Sequence, residues 1–227
     1  MESINGNLAI RVAIDTADIQ WSPSPSGTVW RKRVHLVGPP ESGQVTSVVR
    51  YDAGATFPLH NHPGGEEILV LDGVFSDEHG DWPKGTYLLN PEGFRHAPFS
   101  RNGCMLLVKL KQFPGLEREH VAIQTDEIDW QASSIPAIDV KPLYRQRGFS
   151  DWMRLERWEA ATTPGKRVYE HGAEIFVLDG QFEDESGVYG SGHWLRFPIG
   201  AEHTAGSPEG CTLFTKHGGL AYLQSEA

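Results

Sequence analysis

Cysteine is scarce. The chain has two, Cys104 and Cys211, and no C-x-x-C pair, so a secreted disulfide framework is not indicated. Basic residues are also in short supply, 20 lysines and arginines against 30 acids, for a formal net charge of -10. Such a surface repels phosphate backbones, which makes nucleic acid a poor partner. The run Arg31-Lys32-Arg33 is short, lies in a strand-like segment and reads as a solvated strand edge. No apolar stretch approaches bilayer-spanning length, and the opening residues lack the basic start and apolar run of a signal peptide. The expectation is a soluble, cytoplasmic protein with no nucleic-acid or membrane partner. Long apolar runs of 3.6-residue period are missing too, so helix content should be low.

Glycine (25) and proline (15) are plentiful and show no collagen-like period, which points to many turns between short strands. With 39% hydrophobic residues in 227 there is ample material for a core, in one large domain or two small ones. A repeat decides between them. Residues 67–104 and 174–211 align without a gap, and 18 of the 38 positions are identical, which marks a duplication. Upstream, Trp21 closes DIQW as Trp130 closes EIDW, with a small slip in offset. We read residues 1–118 and 119–227 as two copies of one unit. Segments such as VTSVVRY (45–51), separated by turns such as Pro63-Gly64-Gly65, make each copy an all-β sandwich or barrel. Whether the N-terminal segment of one half closes the barrel of the other is not readable from this pattern.

Chemistry gathers in the first copy. His60 and His62 are two apart, so on a strand they face the same side. Pro63-Gly64-Gly65 then turns the chain, and Glu66 opens the next strand. His96 follows the turn Pro91-Glu92-Gly93 and could return to the same cavity. Three imidazoles and a carboxylate form a mixed N/O set suited to zinc, iron, manganese or nickel. His35, His79, His120, His193 and His217 lack such company and read as ordinary surface or hydrogen-bonded histidines.

These residues stand at the spacing of two motifs. Gly54, His60, His62, Glu66 and Gly73 fill G-x5-H-x-H-x3,4-E-x6-G. Gly85, Pro91, Gly93 and His96 fill four of the five fixed positions of G-x5-P-x-G-x2-H-x3-N, with Ser100 in place of the asparagine. The chain resembles the cupin superfamily. That resemblance implies tandem double-stranded β-helix (jelly-roll) barrels, with His60, His62, Glu66 and His96 binding one divalent metal inside the first. The family spacing to Gly73 selects Glu66 over Glu67. The repeat agrees: Glu67 recurs as Glu174, whereas His60, His62 and Glu66 are replaced together by Arg167, Tyr169 and Ala173.

The second copy keeps Gly180, Gly192, Pro198, Gly200 and His203. Arginine does not ligate metals at ordinary pH, so this barrel reads as metal-free. Two other readings stay open there. One is a relocated site of His171, Glu174 and His203, and the other a polar pocket of Arg167, Tyr169 and His203 that binds an anion. Cys104 and Cys211 occupy matching positions in separate barrels and should not form a disulfide.

HNHPGGEEILVLDG (60–73) and DEHGDWPKGTYLLNPEGFRHAP (77–98) resemble the cupin domain of ChrR-type proteins. Those are anti-sigma factors of an oxidative-stress response, with zinc in the cupin domain. They also carry an N-terminal domain with its own His/Cys zinc motif. Only about 20 residues precede the first strand here, so sigma-factor binding does not follow. The resemblance implies a regulatory or stress-sensing module holding one metal, zinc first. The alternative is a non-haem metal dioxygenase acting on a small diketone or phenol, with the metal centre and Glu66 as the catalytic groups. An isomerase or sugar-binding cupin is a weaker third option. A small-molecule ligand in the barrel and a homodimer paired through barrel edges complete the expectations.

Overall fold

The computed structural model describes residues 3–223. Apart from three short 3-10 turns, the regular structure of these residues is β-strand, as the turn-rich pattern predicts. No helix among them is long and apolar enough to cross a membrane. The chain forms two compact units, one of residues 3–6 and Ile19–Glu127, the other of Asn7–Asp18 and Ile128–Leu223. Each is a double-stranded β-helix barrel.

In the first unit the main sheet runs Ser3–Ile4, Val29–Val37, Gln44–Tyr51, Cys104–Leu110, Glu66–Asp77, Thr86–Asn90, Val121–Gln124, antiparallel throughout. Period-2 alternation sorts its side chains. Val29, Val49, Tyr51, Ile68, Val70 and Leu106 turn inward and pack as one cluster. Two short pairs close the opposite wall: His60–Asn61 with Arg95–His96, and Ala55–Thr56 with Phe99–Ser100. Gly73 pairs with Cys104, two residues beyond the bulge that the register shift makes at Leu71. A Cβ on Gly73 would collide with the Gly103 carbonyl, which explains why this motif position is glycine.

The second unit repeats the plan. Its main sheet runs Gln131–Ala132, Ile138–Arg145, Trp152–Trp158, Cys211–His217, Ala173–Asp184, His193–Phe197, Val12–Asp15. Ile138, Trp158, Tyr169, Ile175, Phe182 and Leu213 contribute to its core. Cys104 and Cys211 are both buried and free, and burial raises each thiol to about 11.

The units depart from the contiguous halves 1–118 and 119–227. Val12-Ala13-Ile14-Asp15 and Val121-Ala122-Ile123-Gln124 are corresponding strands of the two copies. The first lies against His193–Phe197 in the second unit, and the second lies against Thr86–Asn90 in the first unit. Each opening strand thus completes the sheet built by the other copy. In doing so it pairs an edge that would otherwise display open backbone donors and acceptors.

Candidate metal centre

The His60–Asn61 and Arg95–His96 strands pair in a register that sets His60 opposite His96. Asn61 points away, and His62 follows on the same side as His60. Gly64 and Gly65, both at positive φ, then reverse the chain. A Cβ on Gly65 would lie 2.7 Å from that of Phe113, so only glycine fits this turn. The turn delivers Glu66 as the first residue of its strand.

One nitrogen from each of His60, His62 and His96 lies within 4.8 Å of the others. The Nε2 atoms of His62 and His96 are 2.9 Å apart. Glu66 Oε2 is 3.5 Å from each of them. His62, Glu66 and His96 are buried, and His60 is partly exposed.

Outer partners set the tautomers. His96 Nδ1–H donates to Asp77 Oδ2 (3.1 Å) and His60 Nδ1–H to the Pro58 carbonyl (2.9 Å). Both rings therefore present an Nε2 lone pair to the cluster, the carboxylate–histidine arrangement of metal sites. Asn90 Nδ2 donates to Glu66 Oε2 at 2.9 Å. Burial opposes the Asp77 charge, yet donors from His96, the His79 backbone and Trp82 hold its carboxyl below the usual range. Burial, with the neighbouring His96 and His60, lowers His62 against the pull of Glu66. Burial also works against a charged His96, but Asp77 and Glu66 outweigh it and raise the ring.

This donor set fits a divalent metal. Adjacent nitrogens on an octahedral ion with bonds of about 2.1 Å stand roughly 3.0 Å apart, close to the His62–His96 separation. Two imidazole nitrogens at that distance need a proton or a cation between them. Of the four residues expected from the sequence, the three histidines form the cluster, and Glu66 stands beside two of them, His62 and His96. Glu67, pointing the other way, accepts a hydrogen bond from the Tyr87 hydroxyl at 2.8 Å, a task that needs no metal.

Sequence reasoning missed Asp77 and Asn90. Asp77 recurs as Asp184, which accepts from His203 Nδ1 at the same 3.1 Å. Asn90 becomes Phe197 in the copy where Glu66 becomes Ala173, so the orienting amide disappears with the carboxylate it orients. The reading of Arg31-Lys32-Arg33 as a solvated strand edge needs correction. Arg31 and Arg33 share the inward face with Val29 and line a cavity of about 450 Å³. That cavity reaches His60, His62, Glu66 and His96 between walls such as Val49, Phe57, Ile68, Phe75 and Leu106.

In the second unit Arg167, Tyr169 and His203 also come together, but they satisfy one another and their neighbours. Arg167 pairs with buried Glu156 at 3.2 Å, and Glu156 accepts from Arg154 (2.7 Å) and Trp158 Nε1 (2.9 Å) as well. The Tyr169 hydroxyl donates to His203 Nε2 at 3.1 Å, occupying the place of the His62–His96 contact. His171 is exposed while Glu174 and His203 are buried. Among the described residues, no second group of three metal-type donors forms, so the relocated site is not assembled.

The ChrR cupin-like domain model matches the chain twice, over residues 9–114 and 118–221. No curated protein matches it by sequence. Solved structures share its fold. A Nostoc punctiforme protein assigned as a candidate dioxygenase is 15% identical with a TM-score of 0.79, over 96% of this chain and 87% of that one. A deletion mutant of the Bacillus subtilis oxalate decarboxylase OxdC is 13% identical with a TM-score of 0.63, over 99% and 80%. The Escherichia coli pirin YhhW, solved with nickel(II), is 13% identical with a TM-score of 0.63, over 92% and 98%. These likenesses are of fold, whereas the twofold model match covers nearly the whole sequence: the chain belongs to the ChrR cupin-like domain family, with two copies of the domain in tandem.

Proposed function

We propose that the first barrel holds one divalent transition metal through His60, His62, Glu66 and His96, and that it acts on a small molecule as a non-haem metal dioxygenase. The observation that carries this reading is the cavity of about 450 Å³, largely apolar, that ends on the histidine cluster. A purely structural ion needs no such space. When bound, the metal would supply Lewis acidity to a substrate oxygen and, if iron, manganese or nickel, redox chemistry. The protein's own residues do the rest. Asp77 fixes the His96 tautomer, the Pro58 carbonyl fixes that of His60, and Asn90 holds the Glu66 carboxylate against the cluster. The aliphatic and aromatic walls exclude water from a bound substrate.

The test is metal analysis of protein purified without nickel resin or chelator, beside a His96→Ala variant, followed by oxygen uptake with small diketones and phenols. About one iron, manganese or nickel per chain, lost in the variant, together with substrate-dependent oxygen consumption, is the expected result. One zinc per chain and no uptake with any loaded metal would favour the regulatory module instead. Failure to take up metal under any loading condition would sink both readings.

A further inference from the structure

The cavity has a charged rim as well as a metal-type floor. On the strand Val29–Val37, Val29, Arg31 and Arg33 fall on one face and point to the interior. Val29 belongs there, and two arginines need a reason. Their side chains are only 20% and 13% exposed. A single carboxylate answers both. Glu41, on the loop between the strands Val29–Val37 and Gln44–Tyr51, accepts from Arg31 Nη1 at 2.7 and 2.6 Å and from Arg33 Nη2 at 3.0 Å. Glu41 is itself 46% exposed. Arg33 also donates to the Pro40 carbonyl at 3.2 Å, and Lys111 donates to that of Ser42. The Arg33 Nε–H is buried with no hydrogen-bond partner. Two arginines thus share one carboxylate at the mouth of the cavity, with Lys111 beside them on the Ser42 carbonyl, in a chain whose net charge is -10.

The second barrel supplies the comparison. Arg31 pairs with Val49 and Arg33 with Ser47, and the corresponding pairs in the second sheet are Val140 with Glu156 and Pro142 with Arg154. The arginine positions are therefore valine and proline in the copy that has lost the metal-type residues. The arginine pair and the histidine set occur together in one barrel and are absent together from the other.

We infer that the natural occupant of this cavity is a small carboxylate with an apolar body, whose anionic group binds Arg31 and Arg33 and displaces Glu41. Glu41 is the internal stand-in for that group. A planar guanidinium pair matches a carboxylate in geometry and charge. The surrounding walls suit a hydrocarbon or aromatic body, and the body extends toward the histidine cluster. The inference narrows the substrate class of the site proposed above and rests on that reading for its catalytic meaning.

The experiment is calorimetric titration of hexanoate, benzoate and phenylacetate, each beside its neutral amide, into metal-free and cobalt(II)-loaded protein. Wild type, Glu41→Gln and the Arg31→Gln/Arg33→Gln double variant are compared. A charge-assisted contact predicts that at least one carboxylate binds roughly tenfold tighter than its amide. That preference should persist without metal, grow in Glu41→Gln and vanish in the double variant. No preference in any metal-free pair, or no gain in Glu41→Gln, overturns the inference. If the double variant does not fold, the Glu41→Gln comparison decides alone. Failure to take up cobalt counts against the metal-site reading and leaves the metal-free comparison standing, so the two ideas fail separately.

Discussion

Asp77 does not line the cavity, yet it fixes which nitrogen of His96 faces the cluster. Asp77→Asn should therefore weaken metal binding by roughly 10–100-fold, the range for outer-partner changes in metal sites. Competition with a chromophoric chelator measures this, and wild-type affinity in the variant would remove Asp77 from the site. Glu156 carries a prediction of another kind. Burial opposes its charge, but Arg167, Arg154 and Trp158 overcome that and lower its pKa from 4.5 to about 2. A depressed carboxylate adds stability that is complete above its unfolded pKa and is lost as pH falls toward its folded one. The second barrel should thus weaken between about pH 4.5 and 2, as urea midpoints across that range would show. Glu156→Gln leaves Arg167 buried without its counter-charge and should cost about 3–5 kcal/mol at neutral pH. His60, His62 and Glu66 were legible because spacing along one strand and across one turn encodes them, and His96 because it fills the second motif of the family the chain resembles. Asp77 and Asn90 were not, because each acts through a partner far along the chain, and single residues of common types carry no periodic signal.

At the scale of elements, the turn between His62 and Glu66 does the positioning. Gly64 and Gly65 hold positive φ, and Phe113 fills the space a Gly65 side chain would need. Gly65→Ala should destabilise the protein by more than about 1 kcal/mol and weaken metal binding with it, because Glu66 moves when the turn does. Loss of stability in a melting curve with unchanged metal affinity would show that the carboxylate is placed by its strand alone. Alternation made the strands legible, and it applies equally to Arg31 and Arg33. Their inward facing followed from the same period that put Val29 in the core. What obscured it was charge, since a basic run ordinarily marks solvent, and the Glu41 that neutralises it lies on a separate loop. Glu67 was separated from Glu66 by the opposite route, since the second copy keeps one and lacks the other.

For the whole molecule, duplication was plain in the sequence and the membership of the sheets was not. VAID and VAIQ are four-residue strands, and each has its partner in the other copy; no local pattern encodes pairing over such separations. Removing residues 1–18 should therefore damage the second barrel more than the first. Hydrogen exchange would show it as lost protection in His193–Phe197 with Thr86–Asn90 intact, and the reverse result would mean that the opening strand is dispensable. The contiguous pieces 1–118 and 119–227 would each leave an edge unpaired, so both should self-associate when made alone.

The crossed opening strands also bear on descent. A protein with one copy, folded by the same plan, has to take its last strand from a second molecule, which is domain swapping. Tandem fusion turns that encounter between molecules into an event within one chain, independent of concentration. A barrel without the metal-type residues then has a reason to persist: its opening strand, Val121–Gln124, completes the sheet of the barrel that has them.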